Sequence, residues 1–460
     1  MRVFGRLQVL GLGILLLGAS AAGCSSADEG TAATAEGRVG ETKEALRWSH
    51  GSPAIVVDWD ARLFAIDPTP AKDRMLAIMH LAMFDAVNSI YRDYEPYKYL
   101  ETTPEGTSAE AAAAQAAYRV LIRRYPAAAA AIEAQRTASL ATVADGQPKT
   151  DGITLGDKVA NQLFDFRSTD KYSLPNPLYT PGPDPDDYKP TPPGFVNPVN
   201  QNASIWVPFA VETADQFRPG PPKAITSRQF TKDYNEVKSI GVACPDPTAC
   251  ARTPEQTSIA QFFIEQAHPL MFRAARGIVT REGFSLYDAA RLFAYLSLAQ
   301  IDAAQTVFDS KYAYNLLRPV TAIRQGETDG NPRTAGDAAW TPLLVTPPHP
   351  EYGAGHPWVS GALIVVMKAF FGEHYPLDMT SATSPYVLHI DRWKDFAESS
   401  ADARVWGGIH YRTTTEISIR QGKKVGKYIV KNYLRRAEDH HHHDRGDDGD
   451  DHDGDRDCRD

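Results

Sequence analysis

The segment SLYDAARLFAYLSLAQIDAAQTVFDSKYAYNLL, Ser285 to Leu317, holds apolar residues at helical spacing for more than thirty positions. A pattern of that length and period supports one or two long helices and leaves little room for a sheet. Further runs repeat it. Asp73–Tyr91 (DRMLAIMHLAMFDAVNSIY) carries a broad apolar helical face. SAEAAAAQAAYRVLIRRYP is alanine-rich, with Ser108 placed to cap its start and Pro126 at its end. TPEQTSIAQFFIEQA opens on Thr253, with Pro254 at the first helical position and Glu255 behind it. PWVSGALIVVMKAFFG and TEISIRQGKKVGKYIVKNYLRR supply two more. No run shows the period-two alternation of a strand. The expected class is all-α, a helical bundle with long Pro/Gly-rich loops.

Four segments divide the chain. Residues 1–23 read as a signal peptide: Arg2 and Arg6, the apolar stretch VLGLGILLLGA, then SAAGC. Cys24 after small residues fits a lipoprotein site, so the expectation is export, with the membrane reached through an N-terminal lipid; cleavage at ASA and free secretion is the other reading. Residues 24–47 are small and polar, a flexible tether. The helical domain runs over 48–436. Residues 437–460 form an acidic His/Asp-rich tail, too polar to bury a core. That tail holds 11 acidic and 3 basic residues, so it carries −8 of the net −9 and leaves the rest of the chain near neutral. A near-neutral body argues against a nucleic-acid face. No stretch after the leader reaches the roughly 18 apolar residues of a membrane span; the longest, Trp358–Phe371, contains Lys368. Within the body, Tyr172–Pro222 is thick with Pro and Gly and reads as an irregular surface excursion. Cys244 and Cys250 flank PDPTA, a spacing suited to a local disulfide in an exported protein, while Cys458 sits in the tail.

Three stretches carry chemistry. In GAGHPWVSGA, Pro357 is pre-set for a first helical turn, so a helix should start at or just after His356. Its unpaired N–H groups and the small Gly355 would let an oxyanion approach the backbone. In DSKYAYNLLRPVTAIR, Lys311 and Arg318 stand seven apart, near two helical turns, with Pro319 expected to end or kink the helix; two cations over one spot would neutralise a multiply charged anion. In ADARVWGGIHYRTTTE, Gly407 and Gly408 break a helix between Arg404 and His410, so both side chains can converge. Each stretch also has a bland reading, as a helix cap, a solvated lysine or a structural arginine. His80, on a strongly apolar helix, reads as packed core, and His50, His268, His374 and His389 have no supporting pattern.

Taken together, Lys-x6-Arg-Pro, Gly-His at a helix start and Arg-x5-His resemble the signature of the vanadium-dependent haloperoxidases and the related type 2 phosphatidic acid phosphatases and bacterial acid phosphatases. Segments such as MLAIMHLAMFDAVNSIY and WVPFAVETADQFRPGPP extend the resemblance to the soluble bacterial branch, over about Ile55 to Leu434. It implies that Lys311, Arg318 and Arg404 hold the oxygens of vanadate or phosphate with the Gly355 N–H. It implies that His410 bonds vanadium or becomes phosphohistidine, and that His356 is the acid–base group. The substrates implied are hydrogen peroxide and halide or, in the same pocket, a phosphomonoester; a non-catalytic oxyanion-binding surface protein is the third reading. His349, seven before His356, stands where the resemblance has Phe in chloride-oxidising enzymes and His in bromide-oxidising ones, which leans towards bromide or iodide. Four positions depart from the pattern: Gly353 for Pro, Ala354 for Ser, Ala403 for Ser and Thr414 for Asp. Losing one hydrogen bond to a charged group costs on the order of 1.5–3 kcal/mol, about 10- to 150-fold in affinity, so weaker anion binding is expected at Ala354. Oligomeric state is not set by any of these features.

Overall fold

The structure, a computed structural model, describes residues 50–437 except 70, 71, 245 and 247–249. The leader, Cys24, the tether and the His/Asp-rich tail with Cys458 lie outside the described residues. The described chain is a helical bundle. Its helices, in order, are α1 (Ala54–Ile66), α2 (Lys72–Tyr91), α3 (Ala109–Arg124), α4 (Ala129–Ala141), α5 (Gln147–Phe166), α6 (Arg228–Ile240), α7 (Pro254–Phe262), α8 (Ala267–Arg281), α9 (Leu286–Tyr314), α10 (Pro319–Arg324), α11 (Gly355–Phe371), α12 (Trp393–Trp406) and α13 (Arg412–Asn432). Among them no helix is long and apolar enough to cross a membrane.

Local signals set the ends of several helices. Ser108 accepts the Ala111 N–H at 3.2 Å and starts α3. Thr253 and Gln256 make a reciprocal capping box ahead of Pro254. The 29-residue α9 is buried along most of its length and packs against α2, α11 and α13. His80 is buried in this core, 2.9 Å from Asp60, whose other oxygen pairs with Arg276.

α11 and α13 approach closely because glycines line their contact. A Cβ on Gly422 would stand 1.9 Å from the Trp358 carbonyl oxygen, and one on Gly426 would stand 2.6 Å from that of Ala362. We expect Gly422→Ala to lower stability by about 1–3 kcal/mol through overpacking, despite alanine's better helix propensity. Chemical denaturation of the variant checks this.

Three features differ from the sequence reading. A two-stranded antiparallel hairpin, β1 (His374–Thr380) and β2 (Val387–Arg392), stands where no strand is expected. Tyr375, Leu377 and Met379 alternate with exposed neighbours and Leu388 and Ile390 are buried between exposed ones, so a period-two signal is present, in two runs of only seven and six residues. Its turn clamps the segment after α7: Ser381 Oγ donates to Phe262 O at 2.8 Å and Ala382 N to a Glu265 oxygen at 2.6 Å. The Tyr172–Pro222 excursion is irregular as expected, yet it is not simply surface. Asp302 on α9 accepts the N–H groups of Phe209, Ala210 and Val211 at 2.9, 2.6 and 2.7 Å, and Gln305 donates to Ala203 O and Trp206 O. The buried polar groups of α9 therefore hold this excursion down as a wall. Finally, α9 ends at Tyr314, four residues before Arg318 and not at Pro319. Asn315 takes the left-handed conformation, φ 48°, which its short polar side chain tolerates, and closes the helix with its N–H on Lys311 O. Cys244 and Cys250 are joined, with their Cα atoms 5.9 Å apart.

Candidate active site

Lys311 occupies the last turn of α9 and Arg318 the extended residue that precedes α10, so they reach the site from two elements and not from one helix face. Both are fully buried. They meet on the loop that enters α11. Lys311 Nζ donates to Pro350 O at 2.9 Å, to Glu351 O at 3.1 Å and to Gly353 O. Three carbonyl acceptors need three N–H donors, so the amine is held as an ammonium even though burial, and then the Arg318 charge, pull its pKa well below the ordinary value. Arg318 Nε donates to His349 O at 2.7 Å, Nη2 to His349 Nδ1 at 2.7 Å, and Nη1 to Ile409 O at 2.8 Å and His410 Nε2 at 3.0 Å.

α11 begins at Gly355, one residue before His356, and its N-cap residue Ala354 offers no side-chain cap. A side chain on Gly355 would meet nothing within 4 Å. The first-turn N–H groups here have no intrahelical partner. Pro357 removes one donor that would otherwise need satisfying. Arg404, in the last turn of α12, is 3% exposed; Nη2 donates to Phe263 O at 2.6 Å, and Nε is buried with no hydrogen-bond partner among the described residues. Gly407 and Gly408 then turn the chain. Gly408 has φ 77°, and a Cβ on it would lie 2.4 Å from Gly241 O, so the turn that aims His410 admits only glycine.

These residues surround one cavity of about 740 Å³. Lys311, His349, Gly355, His356, Arg404 and His410 line its floor, while Trp206, Phe308 and Val359 belong to its apolar walls. Arg318 stands behind the floor and reaches the cavity through His410 and His349. His268, which carried no sequence signal, also lines the cavity, 3.0 Å from Asp73.

The electrostatics are lopsided. Lys311, Arg318 and Arg404 are three buried cations; one buried acidic residue, Glu351, lies among them, and burial raises its carboxyl to about 7 against the pull of its hydrogen bonds and the Arg318 and Lys311 charges. Asp73 on the cavity wall is a second acidic group; it accepts from Gln300 at 2.8 Å and lies 3.0 Å from His268, which leaves the three buried cations facing two acidic residues. Burial lowers Arg404 to about 9, with Arg318 adding to the shift, and lowers Arg318 to about 10. His349, His356 and His410 are all held well below the usual imidazole value, first by burial and then by neighbouring cations, so all three are neutral at neutral pH. Hydrogen bonds assign their protons. Arg318 only donates, so His410 Nε2 accepts and the proton sits on Nδ1, which gives it to Glu351 Oε1 at 2.9 Å. His356 Nε2 lies 3.3 Å from Glu265 O, so that nitrogen carries the proton and Nδ1 keeps its lone pair.

Excess positive charge, an unpartnered buried Arg404 Nε–H and open space at Gly355 together fit a multiply charged oxyanion such as vanadate or phosphate. The residue that the sequence reading passes over is Glu351. Its only signal is an acidic side chain between His349 and His356 in HPEYGAGH.

The chain resembles known proteins across this region. Residues 291–439 match the sequence model of the VCPO second helical-bundle domain, the part that runs from α9 through α13 and holds every floor residue. Vanadium chloroperoxidase of Curvularia inaequalis is 24% identical over 376 residues, covering 66% of this chain and 61% of that protein. Vanadium-dependent bromoperoxidase of Corallina officinalis is 28% identical over 105 residues, or 19% of this chain and 16% of that protein. Among solved structures, a bacterial vanadium-dependent iodoperoxidase superposes with a TM-score of 0.72 at 24% identity, covering 84% of this chain and 97% of that one. An apo-type bacterial vanadium-dependent chloroperoxidase follows at 0.63 and 18%, covering 84% and 96%. The chain therefore carries a VCPO second helical-bundle domain and has the fold of the bacterial vanadium haloperoxidases.

Proposed function

We propose that the protein is a vanadate-dependent haloperoxidase-like enzyme that oxidises halide, bromide or iodide in preference to chloride, with hydrogen peroxide. The observation that carries this reading is the set of three buried cations around three neutral, cavity-lining histidines, with one acidic residue, Glu351, among them. Vanadate, when bound, would supply a Lewis acid that activates peroxide without changing its own oxidation state. His410 would bond the anion through its unprotonated Nε2, in exchange for the contact that nitrogen makes with Arg318 Nη1. Arg404 Nε and the Gly355 N–H would donate to its oxygens, and Lys311 and Arg318 would supply charge from behind the loop they hold. His356, neutral and with an available Nδ1, would take the proton from peroxide. The halide preference rests on His349, which keeps an imidazole, not an apolar ring, on the cavity floor.

The same floor suits phosphate, so phosphomonoester hydrolysis through His410 is the second outcome of the test. Protein stripped of metal and phosphate is assayed with and without added vanadate, for bromination with peroxide and for nitrophenyl phosphate hydrolysis. Bromination that requires vanadate supports the proposal. Hydrolysis that needs no vanadate, with no bromination, overturns it in favour of the phosphatase, and oxyanion binding with neither activity overturns it in favour of a binding protein.

Ala354 gives this reading a graded check. Ala354 caps α11 without a side-chain bond, and its N–H is held by Ser418 Oγ at 2.8 Å. In Ala354→Ser the added hydroxyl could cap His356 N–H or donate to the anion; the next first-turn residue, Pro357, has no N–H to take it. We expect vanadate to bind about 10- to 150-fold more tightly. Vanadate titration of both proteins measures it, and equal affinity would mean that another donor already fills the role.

A further inference from the structure

The Glu351 carboxylate is fully buried, and each of its oxygens is engaged by α13 or the turn before it. Oε1 accepts from His410 Nδ1 at 2.9 Å and from Tyr411 N at 3.0 Å, while Oε2 accepts from Thr414 Oγ1 at 2.9 Å. Thr414 is held in turn, since its carbonyl accepts from Ser418 Oγ at 2.6 Å, and Ser418 accepts the Ala354 N–H. A chain of hydrogen bonds thus runs from the start of α11 through Ser418, Thr414 and Glu351 to the ring of His410. Position 414 is where the sequence resemblance would place an Asp, four residues after His410. Here the carboxylate beside the imidazole comes from the loop before α11, and Thr414 serves it as a donor.

We infer that Glu351, held by Thr414 and the Tyr411 N–H, is a positioning residue that fixes the His410 ring with its proton on Nδ1, so that Nε2 is presented as the bonding atom. This rests on the reading of His410 as the group that bonds the oxyanion. A ring held from one side only, by Arg318 at Nε2, would lose the partner that sets its orientation, and such supporting partners are worth about 10- to 100-fold in affinity for the bound metal species. Vanadate forms a bond to the imidazole, whereas phosphate is held by charge and hydrogen bonds. Loss of Glu351 also removes an acidic group from an anion site. The two ions should therefore respond in opposite directions.

The test measures orthovanadate and inorganic phosphate affinity, and records the His410 Nδ1–H proton resonance in oxyanion-free, 15N-labelled full-length protein. In Glu351→Ala we expect the Nδ1–H resonance to be lost to solvent exchange. Vanadate should bind about 10- to 100-fold more weakly, with phosphate binding unchanged or tighter. In Glu351→Gln the fixed Tyr411 N–H requires an oxygen at the Oε1 position, so the amide carbonyl faces His410. The resonance should persist, shifted by the change from a carboxylate to an amide acceptor, with vanadate affinity between wild type and the alanine variant. Equal losses for vanadate and phosphate would mean a general structural role and would overturn the inference. Should the alanine variant fail to fold, an unshifted resonance in the glutamine variant overturns it as well. Wild-type protein that binds neither ion sinks the proposed function instead, and the resonance in the oxyanion-free protein still decides whether Glu351 holds His410.

Discussion

Replacing His410 with alanine is expected to abolish vanadate-dependent peroxidase activity and any phosphoester hydrolysis together, by at least about 10³-fold, the order lost when a residue that bonds the reacting group is removed. The argument is geometric. His410 is held through both ring nitrogens by side chains: Nδ1 donates to Glu351 and Nε2 accepts from Arg318. It is also neutral, since burial and the Arg318 and Lys311 charges hold its pKa well below the usual value. His349 Nδ1 also faces the Arg318 guanidinium, at 2.7 Å, but among the floor residues only His410 has its second ring nitrogen held by a carboxyl group. Truncation should leave the fold standing, because Glu351 keeps the Tyr411 N–H and the Thr414 hydroxyl. The measurements are bromination and hydrolysis rates beside vanadate titration, with added imidazole as a rescue. Partial recovery with imidazole would show that the lost function is the nitrogen itself. Unchanged activity in the alanine variant would mean that the bonding residue lies elsewhere.

The sequence makes the floor legible for a physical reason. Lys311, Gly355–His356 and Arg404–Gly407–Gly408–His410 each sit at a helix end, and helix ends are where glycine, proline and capping residues leave local marks. Helix existence is legible on the same ground: α3 and α7 begin where Ser108 and Thr253 predict. What stays hidden depends on long-range contact. Glu351 is one acidic residue among 57, and nothing local says that it is buried against Arg318 and His410. The excursion over 172–222 reads as surface because its prolines and glycines are local signals, whereas the bonds that bury it come from Asp302, about ninety residues away in sequence. The end of α9 at Asn315 has a local signal, since Asn tolerates the left-handed conformation, whereas the helical spacing of Lys311 and Arg318 points to a longer helix. The consequence is chemical. With Arg318 off the helix, its guanidinium lies behind the loop and organises two histidines, and Arg404 is left as the floor cation with a donor to spare.

That division of labour sets the second large effect, at His356. His356→Ala is expected to lower kcat by about 10²–10⁴-fold, the range a positioned proton-transfer group supplies, while vanadate affinity changes little, because the groups assigned to hold the anion are His410, Arg404 and the Gly355 backbone. His356 stands in the first turn of α11, and its Nε2–H rests on Glu265 O, in the segment the hairpin turn clamps through Ser381 and Ala382. That clamp leaves Nδ1 as the basic atom. Burial first, then the Arg404 charge, holds the imidazole well below its ordinary value, so the base is neutral and competent at neutral pH. The sign follows: a lowered pKa keeps the base active as pH falls through the usual histidine range, and activity drops only further into acid, where Nδ1 takes a proton. A bound oxyanion, being negative, moves that limb upward. Rate–pH profiles of wild type and variant check both parts, with vanadate titration alongside. The variant should lose the acid limb as well as the rate, since a limb set by His356 cannot outlive it. If kcat falls in step with vanadate affinity, His356 is holding the anion and not moving a proton.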